Sequence, residues 1–137
     1  MIASKRNITI ATVLAGISFL VHTFVGTFEV QGPLLQSNVP RNVQVIFMVC
    51  WHIVTITLLA STFLFYRLRS VEVTQPVATV LKTLGLCWIG FGMLFPVTAF
   101  VLGGLPMVLQ MPQVTLLVPT GVFAMLGARQ NAGIAAR

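Results

Sequence analysis

The chain has 137 residues, of which 57% are hydrophobic and only 7% are charged, and its mean hydropathy is +0.98. This composition does not provide a water-compatible surface, so it excludes a soluble globular protein and predicts an integral membrane protein. The formal net charge is +6, but the basic residues flank apolar segments, where they meet anionic lipid head groups. The bilayer is therefore an expected partner, and nucleic acid is not.

Four segments approach the length of about 20 apolar residues that crosses a bilayer core. They cover about residues 8–28, 43–65, 77–104 and 107–128. A chain of this length leaves room for one compact domain, so residues 1–137 are predicted to form a single transmembrane domain. The expected fold class is all-α, a polytopic membrane four-helix bundle.

The first segment carries small and polar residues at spacings of three and four. Such a stripe lies on one face of a helix and faces other helices rather than lipid, because small residues allow close backbone approach. A cleaved signal peptide is the alternative for this segment, but it is longer than the usual apolar region and lacks a clear cleavage site. The stripe comprises Ala11, Ala15, Ser18, His22, Gly26 and Glu29.

His52 and Thr55 of the second segment are three residues apart, which places their side chains on one helical face. Cys50 of this segment and Cys87 of the third are predicted at different depths, so they are interpreted as small buried residues rather than as a disulfide. Tyr66 follows the second segment and is typical of an aromatic anchor at the membrane interface.

Prolines predict that the fourth segment is irregular. Pro112 and Pro119 each remove a backbone donor and interrupt a regular helix. If the helix begins only after Pro112, about fifteen residues remain, which span roughly 22 Å and are short for a full crossing. A kinked or partly re-entrant stretch around Gln110 and Gln113 is therefore expected to face the protein interior.

Basic residues predict that both termini are cytoplasmic, because cytoplasmic loops carry the excess of Lys and Arg. In the two connections on the opposite side, Arg41 is the only basic residue. Lys82 lies near the start of the third segment, and its long aliphatic side chain allows the ammonium group to reach the cytoplasmic interface. The basic residues on the predicted cytoplasmic side are Lys5, Arg6, Arg67, Arg69, Arg129 and Arg137.

Both histidines of the chain, His22 and His52, lie inside uncharged apolar runs. An ionisable side chain in such a run is costly unless something compensates it, so both are candidate functional residues. We expect them to converge in the outer half of the bundle, with Glu29 at the rim of a pocket that opens away from the cytoplasm. The predicted ligand-binding residues are His22, Gly26, Glu29, His52, Thr55 and Gln113.

Three kinds of ligand fit this predicted pocket. His22 and His52 are candidate metal ligands, although their spacing matches no fixed metal motif. They are also candidate axial ligands of haem, with Gly26 leaving space for the porphyrin edge. A quinone is the third candidate, because His, Gln and Thr donate hydrogen bonds to carbonyl oxygens.

A purely structural interpretation has comparable weight for the histidines. Membrane helices often use a His, Thr or Gln to hydrogen-bond a neighbouring helix, and such a bond contributes about 1 kcal/mol. For Glu29 the structural interpretation is the stronger one, because a helix end lies in interfacial water.

Three short motifs resemble small uncharacterised four-helix proteins of bacterial inner membranes. They are His22-Thr-Phe-Val-Gly26, Pro33-Leu-Leu and Trp51-His52-Ile-Val-Thr55. The resemblance implies a bacterial inner membrane as the location and implies no activity.

Three classes of function remain after these arguments. Binding of a small ligand or redox cofactor ranks first, and a non-catalytic accessory or assembly subunit of a larger membrane complex ranks second. An oligomeric transporter or channel ranks third, because four helices leave little central space. Catalysis is disfavoured, since the sequence contains no nucleophile elbow, phosphate loop or carboxylate pair. A homo-oligomer or a larger membrane complex is the expected assembly.

Overall fold

The computed structural model describes residues 2–129, so Arg137 and the other residues after position 129 lie outside it. The described residues form four helices and no strand, which confirms the all-α prediction. The first helix, α1, combines α-helical Ile2–Leu20, π-helical Val21–Val25 and Thr27–Gln31, and a closing α-helical turn Gly32–Gln36. The remaining helices are α2 (Arg41–Leu68), α3 (Gln75–Val108) and α4 (Val114–Gly127).

Helix α1 continues past the predicted end near residue 28. Its wide π-helical turns explain how the helix passes Pro33, because the Gly32 N–H already bonds to the carbonyl of Thr27, five residues earlier. Pro33 then stands in the first turn of the closing α-helical segment, where a missing N–H donor is tolerated. The helix ends where Ser37 adopts an extended backbone. Glu29 consequently lies on a helix and not in a connecting loop.

Helix α4 lies between α1 and α3, while α2 packs on another side of α1. Successive contacts show that α1 and α2 are antiparallel, because Gly16 meets Thr62 and Gly26 meets Trp51. Helices α3 and α4 are also antiparallel, because Gly85 meets Gly121 and Gly92 meets Val118. Ile8 meets Gly127, so the start of α1 lies beside the end of α4. We use proximal half for the part that contains the N-terminus of α1 and the C-terminus of α4. The distal half contains the turn between α1 and α2.

The proximal half holds the hydrophobic core. Its helices approach closely because glycine and alanine occupy the crossing points: a Cβ atom added to Gly85 would lie 2.8 Å from the carbonyl oxygen of Gly121. Phe65 of α2 and Trp88 of α3 close the core with ring centroids 6.3 Å apart. The buried core residues are Ile8, Ala11, Ala15, Leu58, Phe65, Ala78, Leu81, Trp88, Ala124 and Ala128.

The chain leaves regular helix between Val108 and Val114, as Pro112 predicts. Pro119, however, lies inside the continuous helix Val114–Gly127, so the prediction that it interrupts a regular helix is wrong. Gln110 and Gln113 are exposed, so the expectation that this stretch faces the protein interior is also wrong.

Helix α3 bends at Gly104, whose φ of 65° and ψ of −164° are accessible essentially only to glycine. Regular helix resumes at Val114 and lasts 14 residues, which corresponds to about 21 Å against a bilayer core of about 30 Å. Helix α4 is therefore shorter than the predicted segment 107–128.

Three helices are long and apolar enough to cross a membrane. They are Ser4–Gln36, Arg41–Leu68 and Gln75–Val108, with mean hydropathies of 2.0, 2.1 and 1.9 over their most apolar 18 residues. These lengths and compositions are consistent with an integral membrane protein.

Candidate functional site

His22 lies in the first π-helical turn of α1 and contacts α2. Its Nε2 atom is 3.1 Å from Thr55 Oγ1 and 3.4 Å from the carbonyl oxygen of Trp51. The Thr55 hydroxyl donates its only hydrogen to that same carbonyl at 2.9 Å. A carbonyl only accepts hydrogen bonds, so Nε2 of His22 carries the hydrogen and donates it. Its Nδ1 atom is then the nitrogen that retains a free lone pair in the neutral ring.

Trp51 stacks on His22, with ring centroids 4.1 Å apart and an angle of 19° between the planes. Gly26, one turn after His22, leaves the space that the indole occupies: a Cβ atom at this position would lie 2.6 Å from Trp51 Cη2. We call His22, Gly26, Trp51 and Thr55 the His22 joint. It links α1 to α2 in the distal half by a hydrogen bond and by aromatic contact.

His52 does not join this cluster. It follows Trp51 directly, but a helix rotates by about 100° per residue, and its side chain is exposed. No hydrogen-bond partner for His52 occurs among residues 2–129. The structure therefore brings His22 and Thr55 together and leaves His52 on a different face of α2.

The other predicted site residues also lie outside the joint. Glu29 is exposed on the second π-helical turn of α1, and Gln113 is exposed just before α4. Within the described part of the chain, no hydrogen bond links either side chain to His22. Of the six predicted ligand-binding residues, the structure brings together His22, Gly26 and Thr55 where α1 contacts α2.

Metal-ligating side chains do not form a group of three or more anywhere in residues 2–129. Cys50 and Cys87 are free and exposed, so the expectation that both are buried is wrong. Because Nε2 of His22 already donates a hydrogen bond, only Nδ1 offers a lone pair to a metal in this arrangement. Ligation of a metal or haem by His22 and His52 stays a prediction.

Two polar side chains that sequence reasoning missed lie farther along α1. The Thr23 hydroxyl oxygen is buried without a hydrogen-bond partner. Gln31 is only 8% exposed, and its amide has no partner among the described residues. Their spacing from Thr27, four residues in each direction, is the signal that could have singled them out.

Gln31 and Thr27 line a shallow distal groove on α1. The groove is bounded by residues of this one helix end: Thr27, Phe28, Gln31, Gly32, Pro33, Leu35 and Gln36. A second shallow groove lies near the proximal end of α2, beside Tyr66, Arg67, Ser70 and Val71. Neither groove is lined by His22 or His52.

No family model matches this chain, and comparison with curated proteins and with solved structures gives no match. The resemblance of the three short motifs to small bacterial membrane proteins therefore has no support from relatives.

Proposed function

We propose that the chain is an integral membrane protein with its proximal end in the cytoplasm. Support comes from the antiparallel arrangement of the helices, which collects the terminal basic residues at one end. Arg41 and Glu29 lie toward the distal end. This distribution follows the preference of Lys and Arg for the cytoplasmic side. The basic residues at or near the proximal end are Lys5, Arg6, Arg67, Arg69, Lys82 and Arg129.

In this membrane the protein acts as a non-catalytic subunit that packs against partner helices. The observation that carries the proposal is His52, which stands exposed and unpartnered within the long apolar helix α2. An ionisable side chain that faces hydrocarbon is costly when charged, and it also lacks hydrogen-bond partners there when neutral. Contact with a polar group of a partner helix removes that cost.

The His22 joint supports the same proposal. The Nε2 donor of His22 is used within the chain, and Trp51 covers the imidazole ring. This arrangement is that of a contact which fixes α1 on α2. Interhelical hydrogen bonds of this kind contribute about 0.6 to 1 kcal/mol and need no ligand. A subunit whose own polar contacts hold its helices in place presents a defined surface to a partner.

Native mass spectrometry after extraction in a mild detergent tests the proposed function. We expect the chain to be released together with stoichiometric protein partners, either other copies of itself or different subunits. Parallel extraction into nanodiscs controls for dissociation by detergent. Release as a single chain in both media would contradict the proposal.

Ligand binding in the distal groove is the second candidate, and the unpartnered Gln31 amide favours it. A groove with an amide, a hydroxyl and apolar walls suits an amphiphile that carries a carbonyl group, such as a quinone or a lipid ester. Organic extraction and mass spectrometry of purified protein would detect such a molecule. Substitution Gln31→Leu should reduce its yield, while Gln110→Leu, at an exposed position outside the groove, should not.

A further inference from the structure

An exposed stripe runs along most of α2 and alternates spacings of four and three residues. The side chains other than His52 are 49–66% exposed, and His52 is exposed as well. Its members are Val45, Val49, His52, Ile56, Leu59, Phe63 and Tyr66. We call these residues the α2 stripe.

The spacing of the α2 stripe is that of a heptad seam. A repeat of 3.5 residues keeps one face of a helix against a parallel partner helix in a left-handed crossing. In this register the a positions are Val49, Ile56 and Phe63, and the d positions are Val45, His52, Leu59 and Tyr66. Val49 and Ile56 at a with Leu59 at d match the two-stranded preference at three of the seven positions. The stripe is separate from the face that packs on α1, which contains Trp51 and Thr55.

We propose that the α2 stripe is the interface with a second copy of this chain, and that His52 of one copy hydrogen-bonds His52 of the other. The proposal rests on the membrane location and the helix-packing role inferred above. It identifies both the partner and the surface.

The chemistry of His52 is the reason for choosing a second copy over a different subunit. A neutral imidazole has one donor nitrogen and one acceptor nitrogen, so two identical rings are complementary. A two-fold axis along the membrane normal places identical residues at identical depth. His52 therefore meets a suitable partner without any other polar residue having to be positioned for it.

The exposure of α2 agrees with this assignment. Only 11% of its most apolar 18 residues is buried within the chain, compared with 22% for α1 and for α3. At the proximal end of the stripe, Arg69 lies over the ring of Tyr66 at 4.2 Å. This cation–π contact holds the Arg69 charge against Tyr66 of its own copy.

Disulfide crosslinking in native membranes tests the geometry. In a background of Cys50→Ser and Cys87→Ser, a single cysteine is introduced by Val49→Cys, Leu59→Cys or Ile53→Cys. Ile53 is also exposed, at 57%, but it lies beside the stripe and serves as the matched control. We expect at least five-fold more covalent dimer with cysteine at positions 49 and 59 than at position 53.

A second measurement tests the role of His52 in the same interface. In fluorescence energy transfer between labelled copies in lipid vesicles, His52→Leu should weaken association about three- to fifteen-fold, the range of interhelical hydrogen bonds in membranes. His52→Asn retains a donor and an acceptor and should restore most of the affinity. Thr57→Val, at an exposed position on another face, should leave it unchanged.

The outcomes separate this inference from the proposed function. Equal crosslinking at positions 49, 53 and 59, or none at all, would overturn the α2 stripe as a self-interface. If a different protein then co-purifies in fixed ratio, the subunit function stands and only the second copy is refuted. If the chain is also monomeric without partners, both proposals fail.

Discussion

The proximal and distal halves of the molecule are held together in different ways. In the proximal half, helix backbones touch at Gly85 and Gly121, and the side chains between them are mostly small. In the distal half, the short helix α4 no longer separates the other helices. There α1 contacts α2 through the rings of His22 and Trp51. Backbone contact tolerates no added atoms, whereas contact through side chains can adjust. The proximal half is therefore expected to be the more sensitive to substitution.

The largest effect is expected for Gly85→Ala in the proximal half. The added Cβ atom would lie 2.6 Å from Met125 Cγ and 2.8 Å from the Gly121 carbonyl oxygen, and the latter belongs to a backbone that cannot rotate away. We expect a loss of about 3 kcal/mol in the free energy of unfolding, the upper part of the range for overpacking. Unfolding in mixed micelles with increasing SDS measures it.

Gly90→Ala on the same helix is the control for this prediction. No atom lies within 4 Å of a Cβ atom at this position. Alanine has the higher helix propensity, so stability should stay the same or rise by up to about 1 kcal/mol. Equal losses for the two variants would show that the close contact of α3 with α4 is not a main source of stability.

In the distal half, Gly26→Ala should cost about 2 kcal/mol. The new Cβ atom would lie 2.6 Å from Trp51 Cη2, so the indole must move away from His22. In a Trp88→Phe background, the fluorescence of Trp51 alone should change with the loss of stability. Gly32→Ala is the matched control, because its nearest contact would be at 3.8 Å. Unchanged fluorescence of the Gly26 variant would refute the stacked arrangement.

A smaller effect, about 1.5 kcal/mol, is expected for Gln44→Met. The Gln44 amide donates to the carbonyl oxygens of Ser37 and Val39 and accepts a bond from Arg41 Nη1. Methionine fills similar volume and removes all three bonds, so amide hydrogen exchange in residues 37–39 should accelerate. Gln36→Met, at an exposed position, should change neither quantity. Slow exchange retained in the Gln44 variant would contradict this prediction.

The smallest effect is expected for His22→Phe, about 0.6 kcal/mol. Phenylalanine keeps the aromatic contact with Trp51 and removes the Nε2 donor, while the Thr55 hydroxyl keeps its bond to the Trp51 carbonyl. The double variant with Thr55→Val should lose less stability than the sum of the two single variants. Strict additivity would show that the hydrogen bond between His22 and Thr55 contributes nothing to stability.

Several features of α1 and of the distal site could be predicted from the sequence. The stripe of small residues on α1 predicted helix contact, and Ala11, Ala15 and Ser18 are buried as expected. His22 and Thr55 were both predicted site residues, and they are in hydrogen-bond contact. The space at Gly26 was also predicted, but Trp51 occupies it, and no ligand is needed to explain it.

The face of α2 that carries the site could not be chosen from spacing. Thr55 is three residues after His52 and four after Trp51, and both spacings place two side chains on one helical face. The contact with α1 selects Trp51 and leaves His52 on the exposed α2 stripe. Periodicity gives the relative angles of residues on one helix, but not the direction from which a neighbouring helix approaches.

By itself, the sequence determined the helical class, the three long apolar helices and the shortness of α4, because these depend on composition, on run length and on where prolines interrupt a run. Tertiary structure decided which polar residues meet. The central position of α4 and the rotation of α2 about its axis both arise from contacts between residues distant in the chain. Such contacts leave no local pattern in the sequence.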